Sequence, residues 1–194
     1  MSRLRFLVLT LFLFTGLQMA QAQSTAWWLT GSTQKITPEV PQPDDTTLSL
    51  HLHTARQEYA PFQIVIASEN TDANLPSPVA DFPGDYFTLQ LYEEYFIDIN
   101  YPPDEPEIFS LARLTTATTI PDGLRPLGDT LPAAHEGRVV IWADLYVKPE
   151  TPAGDYTLTL TFGDAGTRTV TISVYPLDLG ASAAMSVLVP VDYD

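Results

Sequence analysis

Three histidines, a run of acidic residues and a handful of aromatics are the side chains of this sequence with chemistry to offer. His51 and His53 lie two apart in LHLHT, so on an extended chain both imidazoles point to one side and could share a metal ion. A zinc centre needs three or four protein ligands, and His135 is the one histidine left to add. Two exposed imidazoles on the polar side of a strand are the simpler reading. Asp104-Glu105, followed by Glu107, forms the sole Asp–Glu dipeptide of the chain. Glycosidic acid–base chemistry needs two carboxyls at a fixed separation, one with its pKa raised by burial. A loop between Pro103 and Pro106 supplies neither condition. Clustered carboxylates attract hard cations, so Asp104, Glu105 and Glu107 are a candidate calcium site. The D-x-D-x-D-G pattern is missing, and a solvated acidic loop is the default. Trp28, Tyr92, Tyr95 and Trp142 are candidates for stacking on a neutral sugar. For the adjacent pair Trp27-Trp28, which on a strand face opposite ways, ordinary packing is favoured over a binding platform. There is no cysteine, which removes thiol nucleophiles, thiolate metal sites and disulfides together. No Ser-His-Asp order, phosphate-cradling glycine loop or metal-spaced cluster occurs, and no cofactor is expected.

The elements that would carry these residues read as strands. Val139, Ile141, Ala143, Leu145 and Val147 alternate along one run, and Tyr156, Leu158, Leu160 and Phe162 along the next, against threonines. Val170, Ile172 and Val174 repeat the pattern, and Gly-containing turns separate the runs. This period of two is the signature of half-buried strands. Leu48, Leu50 and Leu52 form another such strand, and Phe62–Ala67, apolar on both sides, reads as a central one. Phe87, Leu89 and Leu91 begin a strand that Glu93-Glu94 should bulge or break. Residues 111–136 are the least regular stretch, with a short strand expected around Leu114–Ile120. Pro176, lacking an N–H, should end the last strand. Seventeen prolines suit many turns and short strands. The expectation is an all-β fold, a two-sheet antiparallel immunoglobulin-like β-sandwich of about seven to nine strands.

The ends have other duties. Arg3 and Arg5 precede the apolar run Phe6–Leu17, and Ala20-Gln21-Ala22 is an A-x-A cleavage site. Residues 1–22 therefore read as a signal peptide, too short in its apolar part to span a bilayer at roughly 20 residues. The protein is expected to be exported, periplasmic or secreted, with no membrane insertion after cleavage. Residues 23–180 would form the sandwich. Residues 181–194 read as a small-residue linker and an apolar strand that, being an aggregation hazard if left unpaired, is expected either to start a missing C-terminal domain, the favoured reading, or to dock on the sandwich. The formal net charge is −15, and loss of the two leader arginines makes the remainder more negative still. Such a surface repels nucleic acid and anionic lipid, while a neutral glycan remains compatible.

A family resemblance joins these readings. Ala55-Arg56-Gln57-Glu58-Tyr59-Ala60-Pro61-Phe62-Gln63 resembles the A-R-x-E-Y-E-P-F-Q stretch of secreted proteins related to glycoside hydrolase family 123. Lys35-Ile36-Thr37-Pro38 resembles the K-[IV]-x-P of that family's opening strand, and Pro121-Asp122-Gly123-Leu124-Arg125-Pro126-Leu127 its P-D-x-L-x-P-L. Ile141-Trp142 through Pro149, then Thr151-Pro152-Ala153-Gly154-Asp155-Tyr156, resembles its W-V-x-V-x-V-P-x-x-x-P-A-G-x-Y. The likeness runs from about Trp28 to Leu179. It implies an N-terminal β-sandwich ahead of a TIM-barrel domain, which is then the partner of this chain. It also implies that chemistry belongs to an adjacent Asp–Glu pair in the barrel, with help from the substrate's acetamido group. The chain itself is accordingly expected to be a non-catalytic module. Arg56, Glu58, Tyr59, Pro61, Phe62, Gln63, Gly154 and Tyr156 would be structural, Tyr156 as a tyrosine corner. Two other readings stay open: a free-standing carbohydrate-binding or adhesion module, and a scaffold domain pairing through edge strands.

Overall fold

The computed structural model describes residues 25–68, 75–98 and 119–179. The signal peptide, the acidic loop Asp104–Glu107 and the segment 181–194 lie outside the described residues. Among the described residues there are nine strands: β1 Ala26–Gly31, β2 Leu50–Arg56, β3 Phe62–Ala67, β4 Val79–Asp81, β5 Phe87–Asp98, β6 Thr119–Pro126, β7 Arg138–Val147, β8 Gly154–Thr161 and β9 Thr167–Asp178. They form a five-stranded sheet in the order β1-β3-β7-β5-β6 and a four-stranded sheet in the order β2-β9-β8-β4. No helix among the described residues is long and apolar enough to cross a membrane.

The alternation seen in the sequence decides which side chains meet between the sheets. Val139, Ile141, Ala143, Leu145 and Val147 of β7 pack with Phe62, Ile64 and Ile66 of β3 against Leu158, Leu160, Val170, Ile172 and Val174 of the facing sheet. Because β3 is interior to its sheet, its alternate residues are buried too. Val65 joins Trp28, Ile36 and Val140 in a smaller apolar cluster on the outer face. The loop after β1 lies over that face, and Gln63 ties it down: Nε2 donates to Gly31 O at 3.0 Å and to Gln34 O at 2.7 Å. At one end of the sandwich Arg168 donates to Thr46 O and Trp27 O while its guanidinium lies 4.7 Å from the Trp27 ring centre.

Three local expectations are corrected. The sheets are not wholly antiparallel, since β2 runs parallel to β9. The chain leaves β2 on the four-stranded sheet and crosses to β3 on the other, so β2 takes its place at an edge independently of any hairpin. Pro176 does not end β9. The ladder steps from Thr54↔Val174 to Arg56↔Asp178, and Pro176 falls in that bulge, where a missing N–H breaks no ladder bond. Glu93-Glu94 does not interrupt β5, whose irregularity lies at Tyr95/Phe96, opposite Gly123 and Pro121 of β6. Of the strand foreseen near Leu114–Ile120, residues 114–118 lie outside the described residues; from Thr119 the strand runs on to Pro126 and takes up the PDGLRP motif. The surplus residue of its bulge, Asp122, is held by Lys35 Nζ at 2.6 Å.

Candidate functional site

The four aromatics considered for sugar stacking do not form one platform. Trp28 is only 5% exposed. It packs in the outer apolar cluster with the Arg138 guanidinium 5.6 Å from its ring centre. Its place as an exposed stacking surface is thereby corrected: the loop that follows β1 covers it. Tyr95 is 39% exposed, but its ring lies directly on Gly123, where any Cβ would collide, with Arg125 at 5.6 Å. Tyr92 and Trp142 do come together, as direct cross-strand partners on β5 and β7. Both are half-buried. Tyr92 Oη donates to Gln90 Oε1 at 2.7 Å and Trp142 Nε1 to Asp144 Oδ1 at 3.0 Å. Gln90 and Asp144 are themselves cross-strand partners, so two aromatics and two polar groups share a patch of the outer sheet face. Further along, exposed Tyr59 meets Tyr146, ring centres 4.9 Å apart.

The histidines separate. His51 and His53 are exposed on the four-stranded sheet, their ring centres 4.3 Å apart. His51 Nε2 bonds Ser173 Oγ at 2.8 Å and His53 Nδ1 bonds Tyr175 Oη at 2.9 Å. His135 lies in the turn that leads into β7 of the other sheet. No group of three metal-ligating side chains is found among the described residues.

The residues quoted for the family resemblance serve the framework. Glu58 Oε2 accepts from Ala55 N–H at 2.7 Å and Thr54 Oγ1 at 3.2 Å, closing the turn in which Gln57 has φ 63°. Arg56 pairs with Asp178 at 3.0 Å. Tyr59 bridges to Tyr146 and Ala60 N–H donates to Leu145 O, carrying the chain past Pro61 into β3. Phe62 lies in the main core. Tyr156 Oη donates to Pro152 O at 2.7 Å, four residues upstream across Gly154, and its ring meets Phe87 edge-on at 5.1 Å.

A second region went unread in the sequence. A cavity of about 170 Å³ opens at the β5–β7 end of the five-stranded sheet, lined by Glu94, Phe96, His135 and Arg138 with Glu93, Tyr95 and Pro132 among its other walls. Residues 135–138 make a tight turn in which His135 and Arg138 exchange backbone bonds at 2.8 and 2.9 Å. Its central residues, Glu136 and Gly137, both have positive φ, 45° and 78°, as a two-residue hairpin turn demands. His135 and Arg138 are therefore direct partners and point to one side. Glu94 is buried, its side chain 3% exposed and its Oε1 3.6 Å from Lys35 Nζ. Burial pushes the Glu94 carboxyl above its ordinary pKa, against the pull of Lys35. On Lys35 burial works downward, but Asp122 and Glu94 outweigh it and hold the ammonium above its usual value. Glu93 is taken up by Arg125 in a two-pronged pair at 2.6 and 2.7 Å. The signal that could have exposed this site was a glutamate in step with Gln90 and Tyr92, on the outer-facing register of a strand that continues through Glu93-Glu94.

No protein-family model matches the chain, and no curated protein does. Among solved structures, a family 123 glycoside hydrolase from Clostridium perfringens superposes with a TM-score of 0.54 at 11% identity, covering 79% of this chain and 28% of that enzyme. The chain shares its fold with part of that enzyme. A weaker likeness, TM-score 0.32 at 9% identity over 65% of this chain and 47% of the other, is to domains 4 and 5 of the S-layer protein SbsC; it carries no argument. This chain thus spans just over a quarter of the length of the hydrolase it matches.

Proposed function

We propose that this chain is the non-catalytic β-sandwich module of an exported, glycoside-hydrolase-like protein, and that it supports a C-terminal barrel carrying the chemistry. The observation that supports this most is the fold shared with part of the family 123 hydrolase over 79% of the chain. The use of the resembling residues agrees with it. Arg56, Glu58, Gln63 and Tyr156 are spent on turns, loop ties and a corner, and none of them faces the cavity. Burial raises the pKa of Glu94, the direction a general acid requires. The other carboxylate on the cavity wall, Glu93, is committed to Arg125, so the two-carboxyl arrangement of glycosidases is not assembled there.

The test is an assay of the purified chain on aryl N-acetylhexosaminides. The expected result is no turnover above the uncatalysed rate. Hydrolysis that disappears in Glu94→Gln would overturn the proposal. The reading frame downstream of Asp194 supplies an independent check, expected to continue into alternating strand and helix patterns. A second reading, contact with a neutral glycan, is favoured by the paired Tyr92 and Trp142 with Gln90 and Asp144 beside them. Stacking surfaces of this kind need an aromatic face and adjacent hydrogen-bonding groups. Loss of oligosaccharide retention on affinity gels in Trp142→Ala is the result it expects; equal retention would remove it.

A further inference from the structure

We infer that the cavity bounded by Glu94, His135 and Arg138 is a binding site for a single neutral polyhydroxyl unit, a monosaccharide ring or a polyol of that size. It is separate from the Tyr92–Trp142 patch and does not depend on the module being an accessory to a barrel. Three of the residues that line it each carry a buried polar atom with no hydrogen-bond partner among the described residues: Glu94 Oε2, His135 Nε2 and Arg138 Nε. Buried polar groups are paired almost without exception, so three orphans on residues that line one cavity point to something that enters and bonds them. The surroundings keep the three in place. Arg138 has its other nitrogens on Val40 O at 3.2 Å and Gly137 O at 3.4 Å, and the His135 ring stacks on Phe96, centres 4.5 Å apart at 21°.

The chemistry of the three selects the ligand. Arg138 Nε can only donate, an ionised Glu94 Oε2 can only accept, and His135 Nε2 does either according to its tautomer. Hydroxyl groups do both, so neighbouring hydroxyls on one ring satisfy all three. An anion would be opposed by Glu94 and by the net charge of −15. A cation would be opposed by Arg138, and Glu93 is already held by Arg125. An apolar guest would leave every orphan unbonded. The apolar walls supplied by Pro132, Val139 and Val140 suit the C–H faces of a ring. A volume of about 170 Å³ is below the roughly 300–1,000 Å³ of sites for drug-sized molecules, which limits the guest to one such unit.

The experiment follows the histidine ring signals of the whole chain by NMR, with calorimetry alongside, during titration with hexoses, N-acetylhexosamines, inositol and glycerol. Phosphate and acetate serve as anion controls. His51 and His53 lie on the other sheet and act as internal references. The expected result is a saturable shift confined to His135 with at least one neutral compound, and an affinity, read by calorimetry, weakened at least about ten-fold in Glu94→Gln and in His135→Gln. Thermal melting of both variants would confirm that they remain folded. If no neutral compound shifts His135, or if phosphate or acetate does so instead, the inference is wrong. Saccharide binding that survives both substitutions but is lost in Trp142→Ala would place the ligand on the aromatic patch and overturn the cavity site, leaving the accessory-module reading intact.

Discussion

Glu94 is a residue whose protonation the fold alters through burial. Its folded pKa lies above the ordinary value of 4.5, chiefly through burial, so the native state holds this proton more tightly than the unfolded chain does. The stability so gained is complete below the unfolded value and disappears as pH rises through the folded one. Glu94→Gln removes that dependence. Urea midpoints of the protein and the variant, compared from about pH 4 to about pH 7, should show the native protein losing ground as pH rises; a constant difference would contradict the burial argument. Tyr156 offers a second test. Tyr156→Phe deletes the bond to Pro152 O and keeps the ring on Phe87, so a loss of about 0.5–1.5 kcal/mol is expected in equilibrium unfolding. The corner tyrosine could be read from PAGDY in the sequence. The role of Glu94 could not, because it depends on which loop covers the outer face of the sheet.

β7 and the turn before it carry the most at the level of elements. β7 lies between β3 and β5 and feeds the main core with every second residue. Ile141, fully buried, should lose about 2–5 kcal/mol on truncation to alanine, measured by urea denaturation. Gly137, at φ 78° in the turn, has room for a Cβ, the nearest atom being Ser68 O at 3.6 Å. The penalty for Gly137→Ala is therefore conformational, about 1–2 kcal/mol. Because the same turn sets His135 beside Arg138, that variant should also broaden the His135 ring signals. The interiors of β7, β8 and β9 were legible from alternation, and that of β3 from a run apolar on both sides. Edges and bulges were not. Pro176 reads as a stop until the bulge opposite it is known, and PDGLRP reads as loop until Tyr95 is seen covering Gly123.

For the whole molecule, the excess of acidic residues over basic ones makes self-repulsion a general strain on the folded state. Raising ionic strength from about 10 mM to about 150 mM shortens the reach of those charges to roughly 8 Å. The melting temperature should therefore rise with salt, and a fall would mean that the few ion pairs, such as Arg56–Asp178 and Lys35–Asp122, outweigh the repulsion. What the sequence determined by itself was local: which residues are extended, and which side of each strand is apolar. A period of two is written into neighbouring residues and needs no partner to be read. Which strand lies beside which was decided by the tertiary structure alone. The parallel pairing of β2 with β9, the loop folded over Trp28, and the meeting of Glu94 with the His135–Arg138 turn all join distant parts of the chain. Such contacts depend on the packing of the entire sandwich, and no short stretch of sequence encodes them.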